Sequence, residues 1–225
     1  MFVVCEGQTE ETFISNLVAP AFYPLGIALV AQLIATSPGH KGGALTYPRV
    51  QRHLRNTLRL SSQPVVTTLF DLYKLDSGFP GYAEAEGRPL PDCLRTLNTA
   101  FHADVVAVAG CRADHFLPYL QPYEFEALLF SDVEALAGTE AGWADAVADL
   151  RGVRDAAESP EHIDDGPTTK PAAQLARHLK TPGYRKALHG PRAAERVTLA
   201  RMEQECPFFA GWLNRLRDLA PPGAS

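Results

Sequence analysis

MFVVCEGQTEETF (Met1–Phe13) sets an unbroken apolar run directly against three carboxylates, Glu6, Glu10 and Glu11, within six positions. Phe2 to Cys5 is short, β-branched at its centre and continuously apolar, which is the pattern of a strand covered on both faces. The residues that follow, EGQTEETFISNLVAPAF, change to a helical period with Phe13, Leu17 and Val18 on one side. A strand, a tight turn and a helix therefore open the chain, and the acids fall at the turn.

The same alternation continues outward. GIALVAQLIAT (Gly26–Thr36) reads as a second strand, and the glycine-rich SPGHKGGALTYP as a loop. RVQRHLRNTLRL is a basic amphipathic helix with Val50, Leu54 and Leu58 inward, and PVVTTLFD (Pro64–Asp71) is the clearest third strand. Strands alternating with helices predict βαβ units, hence an α/β fold with a mostly parallel sheet flanked by helices. LYKLDSGFPGYAEAEGRPLP is a loop, a helix follows from about Pro91 to Phe101, and ADVVAVAGCRADHFLPYLQP is expected to hold one or two further strands. From Tyr123 the pattern is helical, interrupted by a polar loop, ESPEHIDDGPTTKP. The division expected is a core over residues 1–135 and a C-terminal helical extension over 136–225 packed on it.

Composition limits the roles available. A hydrophobic fraction of 46% with 21% charged residues supports an ordinary core, and a net charge of −5 excludes a protein that coats nucleic acid with its whole surface. The four cysteines have no CxxC spacing, which predicts free thiols in a reducing cytoplasm. No apolar run approaches the ~18 residues of a membrane span. GPTTKP lacks the glycine spacing of a nucleotide-binding P-loop, and neither His40 nor His115 has a HExxH-like partner.

In an open α/β sheet, ligands bind outside the carboxyl ends of the strands. Glu6 follows the first strand, Asp71 closes the third, and Glu126 lies with Glu124 just beyond FLPYLQP. Glu10, four residues after Glu6, can share its side of the first helical turn. Gathered carboxylates repel one another and lose hydration, a conflict that Mg²⁺ or Mn²⁺ removes because hard divalent cations prefer oxygen ligands. Plainer readings compete: a first-turn Glu complements the helix dipole, Gln8 or Thr9 can serve as a cap, and Asp71 can be a turn residue. The apolar surroundings of the two acids in YEFEALLF, Glu124 and Glu126, favour at least one half-buried carboxylate, and because buried unpaired acids are rare a functional or metal-bound role falls to Glu126.

Together these motifs resemble a known group. CEGQTEETF resembles the VEGxTE signature of TOPRIM domains in the overcoming-lysogenization-defect nucleases. LFDLYKL with FPG, PYLQPYEFEALLFSD, SPEHIDDGPTTKPAAQ, YRKALHG and CPFFAGWL resemble, in order, the domain of unknown function 4276 family, a TOPRIM-like group. The resemblance spans Phe2 to about Leu216 and implies a TOPRIM-like (Rossmann-like) core that binds Mg²⁺ and cuts phosphodiesters of DNA or RNA, often in anti-phage defence beside an ABC-type ATPase. Glu6 and Glu10 match its first acidic motif, Asp71 the first member of its DxD motif, and Glu126 is similar to the later glutamate of related abortive-infection proteins. Tyr73 stands where DxD has its second Asp, a departure from the two-metal arrangement, with Asp76 as the only nearby substitute. For such chemistry Lys41 and Arg112 are the cations expected at the phosphate, with Arg49, Arg52, Arg55 and Arg59 along the nucleic acid; a solvated helix face is the competing reading of those four. The alternative function is a non-catalytic adaptor that docks an ATPase or a second copy of itself through helices carrying Trp143, Phe208, Phe209 and Trp212.

Overall fold

Short apolar runs bounded by turns build the sheet. The computed structural model describes residues 1–34, 45–73, 75–163 and 166–221. In it β1 (Phe2–Cys5) lies between β2 (Val30–Leu33) and β3 (Val66–Asp71), with β4 (Phe116–Leu117) and β5 (Leu120–Gln121) both along the far side of β3. All of these pairings are parallel. The registers Val66↔Phe116 and Phe70↔Leu120 are the same, so β4 and β5 form one line interrupted at Pro118, which has no N–H to give. The Thr68 hydroxyl bridges the gap: it accepts from the Tyr119 N–H at 2.9 Å and donates to the Tyr119 carbonyl at 2.8 Å.

Helices carry the chain back between strands. α1 (Gln8–Phe13) continues through a π turn (Ile14–Val18) into α2 (Ala19–Phe22). α3 (Tyr47–Leu58) leads to β3; α4 (Tyr82–Ala85) and α5 (Leu90–Ala109) lead to β4. A 3-10 segment, Phe125–Ser131, then opens the C-terminal part: α6 (Val133–Ala137), α7 (Val147–Asp155), α8 (Pro171–His178), α9 (Lys186–Val197), α10 (Leu199–Glu205) and α11 (Pro207–Arg217).

Strand alternation sorts the apolar side chains onto two faces. Val4, Val66, Phe70, Phe116 and Leu120 pack with Phe101 and the inner stripes of α3 and α5. Val3, Cys5 and Leu69 turn the other way, into a core shared with α1, α2 and C-terminal residues including Trp143 and Trp212. The C-terminal helices thus cover that face of the sheet together with α1 and α2.

ADVVAVAGCRADHFLPYLQP holds two strands, β4 and β5, as expected, but the helix before it runs past Phe101 through ADVVAVA to Ala109, because Leu94, Leu97, Phe101, Val105 and Ala109 recur at helical spacing and are all buried. The strands begin only at Phe116. The four cysteines are free, as their spacing suggested, and no described helix is long and apolar enough to cross a membrane.

Candidate functional site

The parallel strands end together at one edge, where β1 passes straight into α1. Glu6 stands at that point, exposed at the rim, and Glu10 is one turn further on with only 3% of its surface accessible. Gly7 makes the approach possible: a Cβ there would meet Glu10 Oε2 at 3.0 Å. The glycine of CEGQTE therefore gives the Glu10 carboxylate room to fold back over the turn.

Asp71 ends β3 beside it. Its Oδ1 accepts the Phe125 N–H at 2.8 Å, tying the strand end to the start of the 3-10 segment. Within that segment Glu126 is completely buried. Two residues earlier, Glu124 is directed elsewhere, pairing with Lys170 and accepting the Ala172 N–H at 3.0 Å in the first turn of α8. Tyr123, just before them, holds a φ of 54°, an uncommon conformation for a large side chain.

At the centre of the acids is a residue to which the sequence reading gave no role. Lys186 Nζ lies 2.9 Å from Glu10 Oε1, 3.2 Å from Glu126 Oε2 and 3.3 Å from Asp71 Oδ2. It is the first residue of α9, where a cation opposes the helix dipole. That mismatch was the available signal, since a lysine at a helix start needs anions from elsewhere. α9 is seated by Gly190, whose Cβ would come within 3.0 Å of Thr9 Cγ2 and 3.3 Å of Phe125 Cε1. Buried His189 holds its first turn by accepting the Arg185 N–H on Nδ1 at 2.9 Å.

The electrostatics follow from this crowding. Burial raises the Asp71 pKa well above the usual carboxylate range; Lys186 opposes the rise, while Glu10, Glu126 and Glu6 add to it. Burial likewise raises Glu126, against Lys186. Glu6 is raised by desolvation of its carboxyl and by Glu10, although the residue as a whole is exposed. Burial pulls the Lys186 pKa down, but Asp71, Glu126 and Glu10 outweigh it and keep the ammonium charged.

Four carboxylates facing one ammonium leave an excess of negative charge. Lys186 pairs with Glu10 Oε1 and Glu126 Oε2 at ion-pair distance, and the buried Glu126 Oε1 has no hydrogen-bond donor. The buried Tyr184 hydroxyl lies against Glu126 and also lacks a well-directed partner. Among the described residues no three His, Cys, Asp or Glu side chains are already spaced as a cage for a metal ion. Even so, hard oxygen donors, surplus negative charge and the buried Glu126 Oε1 without a donor are the properties that suit Mg²⁺ or Mn²⁺.

The other expected residues are distributed differently. Arg112 precedes β4, at the amino edge of the sheet, and pairs with Asp114; it does not join the acids. α3 begins near the carboxyl edge, where Asp76 Oδ1 accepts the N–H groups of Tyr47 and Gly78, so Asp76 is occupied in holding backbone. Arg49 and Arg52 lie toward that end, and Arg55 bonds the Asn56 side chain. Arg59, at the other end, donates to the Ala109 and Val108 carbonyls at 2.9 Å. Lys41 lies outside the described residues. Trp143, Phe209 and Trp212 are buried in the core, which removes most of the aromatic surface on which an adaptor reading relied.

Fold and site together define an α/β protein with an acidic cluster, centred on one lysine, at the carboxyl edge of a parallel sheet. The family model described as domain of unknown function (DUF4276) matches residues 5–217, and the chain belongs to that family. No curated protein and no solved structure matches it.

Proposed function

We propose that this protein is a Mg²⁺- or Mn²⁺-dependent, TOPRIM-like nuclease that hydrolyses phosphodiester bonds of DNA or RNA. Its setting in this reading is bacterial anti-phage defence, as an effector beside an ABC-type ATPase. The observation that carries the reading is the convergence of Glu6, Glu10, Asp71 and Glu126, from three separate segments, around Lys186. A cation held by these four acids supplies positive charge against the phosphoryl group and eases deprotonation of water. Glu6, at the exposed rim with a raised pKa, is the acid best placed to exchange a proton with solvent. Asp71 is fixed on both oxygens, Oδ1 by the Phe125 N–H and Oδ2 by Lys186. Lys186 brings a permanent positive charge to the leaving oxygen, and Glu126 with Glu10 holds it there. The Arg49 end of α3, on the same side of the sheet, is the surface along which the strand would run.

One observation favours the adaptor alternative: Lys186, already paired with three acids, is also what a permanent internal counter-ion looks like. Incubating the protein with plasmid, single-stranded DNA and RNA in Mg²⁺ or Mn²⁺, alone and with its ATPase, decides between them. The nuclease reading expects cleavage that Asp71→Asn and Glu10→Gln each abolish. Cleavage unaffected by either change removes the site, and absence of cleavage with the partner present favours the adaptor.

A further inference from the structure

A second concavity opens beside the acids on the other face of the sheet. This cavity, of about 310 Å³, is lined by Leu72 and Tyr123, by Tyr82 and Leu90, and at its margin by Glu86 and Arg88. Leu72 directly follows Asp71, and Tyr123 directly precedes Glu124–Glu126, so the two backbone segments that carry acids into the cluster also wall this cavity. The segments are locked together: the Leu72 N–H donates to the Gln121 carbonyl at 3.0 Å and the Tyr73 N–H to the Tyr123 carbonyl at 2.7 Å. Strand alternation sends Leu72 to the face opposite Asp71, beside Phe70 and α5. A ligand spanning the strand end would therefore place one group at the acids and its neighbour in the cavity.

The walls select the neighbour. Two tyrosine rings and three leucines, Leu97 with Leu72 and Leu90, provide apolar surface, while exposed Arg88 and Glu86 offer donors and an acceptor at the margin. This is the combination that receives an unstacked nucleobase, by its π-face and by its hydrogen-bonding edge. The volume is near the lower end for ligand pockets, which suits one base rather than a duplex. Tyr123 adds an independent sign, because its left-handed backbone is unfavourable for a bulky residue, and such strain collects at working sites. We propose that this cavity binds the base next to the scissile phosphate, so that the substrate is single-stranded or locally unpaired nucleic acid. The inference rests on the phosphodiesterase reading of the adjoining acids.

The test reads binding rather than turnover. A short single-stranded oligonucleotide carrying one 2-aminopurine, made as DNA and as RNA, is titrated with the full chain in Ca²⁺, with the matching duplex alongside. Stacking in the cavity quenches the probe in the single strand only. Tyr82→Leu, Tyr123→Asn and Arg88→Ala each weaken binding, the tyrosine changes by about tenfold, the scale of one lost base–aromatic stack. Asn tolerates the left-handed backbone at position 123, and Arg88 is exposed, so loss of folding does not explain a shared effect. Equal binding of duplex and single strand, or affinity unmoved by all three changes, overturns the proposal. Cleavage in Mg²⁺ without quenching overturns the cavity alone, whereas quenching without cleavage, the ATPase present, keeps base binding and removes the nuclease. The DNA and RNA arms report which sugar is preferred.

Discussion

Replacing Lys186 by Met removes, among the described residues, the cation that contacts Glu10, Asp71 and Glu126, while keeping the length of the side chain. Its ammonium lies 2.9 to 3.3 Å from oxygens of Glu10, Asp71 and Glu126. Those carboxyl side chains are 4%, 14% and 0% exposed, whereas the lysine side chain is 39% exposed. Breaking a buried ion pair from one side costs about 3–5 kcal/mol. Solvent screening of the partly open lysine selects the low end, about 3 kcal/mol at pH 8 without divalent cations. The pH dependence has a definite sign. Asp71, Glu126 and Glu6 have folded pKa values above their unfolded ones, so their contribution to stability is full below the ordinary carboxylate range and is lost as pH rises through the raised values. Lys186→Met raises those folded values further, so the loss is greatest at alkaline pH and shrinks toward pH 5. Lys186 itself stays protonated across this range, because its folded pKa is raised. Mg²⁺ at about 100 times its Kd returns about 2.7 kcal/mol by mass action. Urea unfolding from pH 5 to pH 8, in EDTA and in Mg²⁺, measures all of this. A destabilisation independent of pH, or no destabilisation, refutes the argument that Lys186 neutralises the acids.

Other expectations concern the supports of the site. Gly190→Ala forces a methyl group against Thr9 and Phe125 and costs about 1–3 kcal/mol in urea unfolding; the accompanying displacement of α9 weakens Mg²⁺ binding in calorimetry. Gly7→Ala crowds Glu10 Oε2 and lowers divalent-cation affinity about tenfold while leaving the circular dichroism spectrum unchanged. Buried Glu161 accepts the N–H groups of Phe208 and Phe209 at the start of α11, and burial raises its pKa from 4.5 to about 7. A raised carboxylate pKa contributes stability at low pH that is lost as pH rises to 7, here roughly 3 kcal/mol. The difference in unfolding free energy between the protein and Glu161→Gln should therefore change by about that amount between pH 4 and pH 8.

Much of this architecture is legible in local patterns. FVVC and VVTTLF are short β-prone runs each followed directly by an acid, and they form adjacent parallel strands whose ends carry Glu6 and Asp71. YEFEALLF signals at least one half-buried acid, and both Glu124 and Glu126 are buried, each beside a lysine. Local pattern fails where distant packing decides. Val105 and Val106 look β-prone, yet Phe101 and Ala109 on the same helical stripe bury that face against the sheet. Lys186 reaches its acids only because α9 folds back onto α1 and the 3-10 segment, more than 100 residues after Asp71 in sequence. Glu161 reads as part of a polar loop, and only the arrival of α11 makes it a buried cap. The basic stripe of α3 is easily seen, but its length runs from the site edge to the opposite one, which sequence cannot orient.

The measurement that bears most directly on the central claim is calorimetric titration of Mg²⁺ and Mn²⁺ into the unmodified protein and into Glu10→Gln and Asp71→Asn. Converging acids predict a saturable site in the unmodified protein that either substitution abolishes. No saturable binding, or binding that both variants retain, contradicts it.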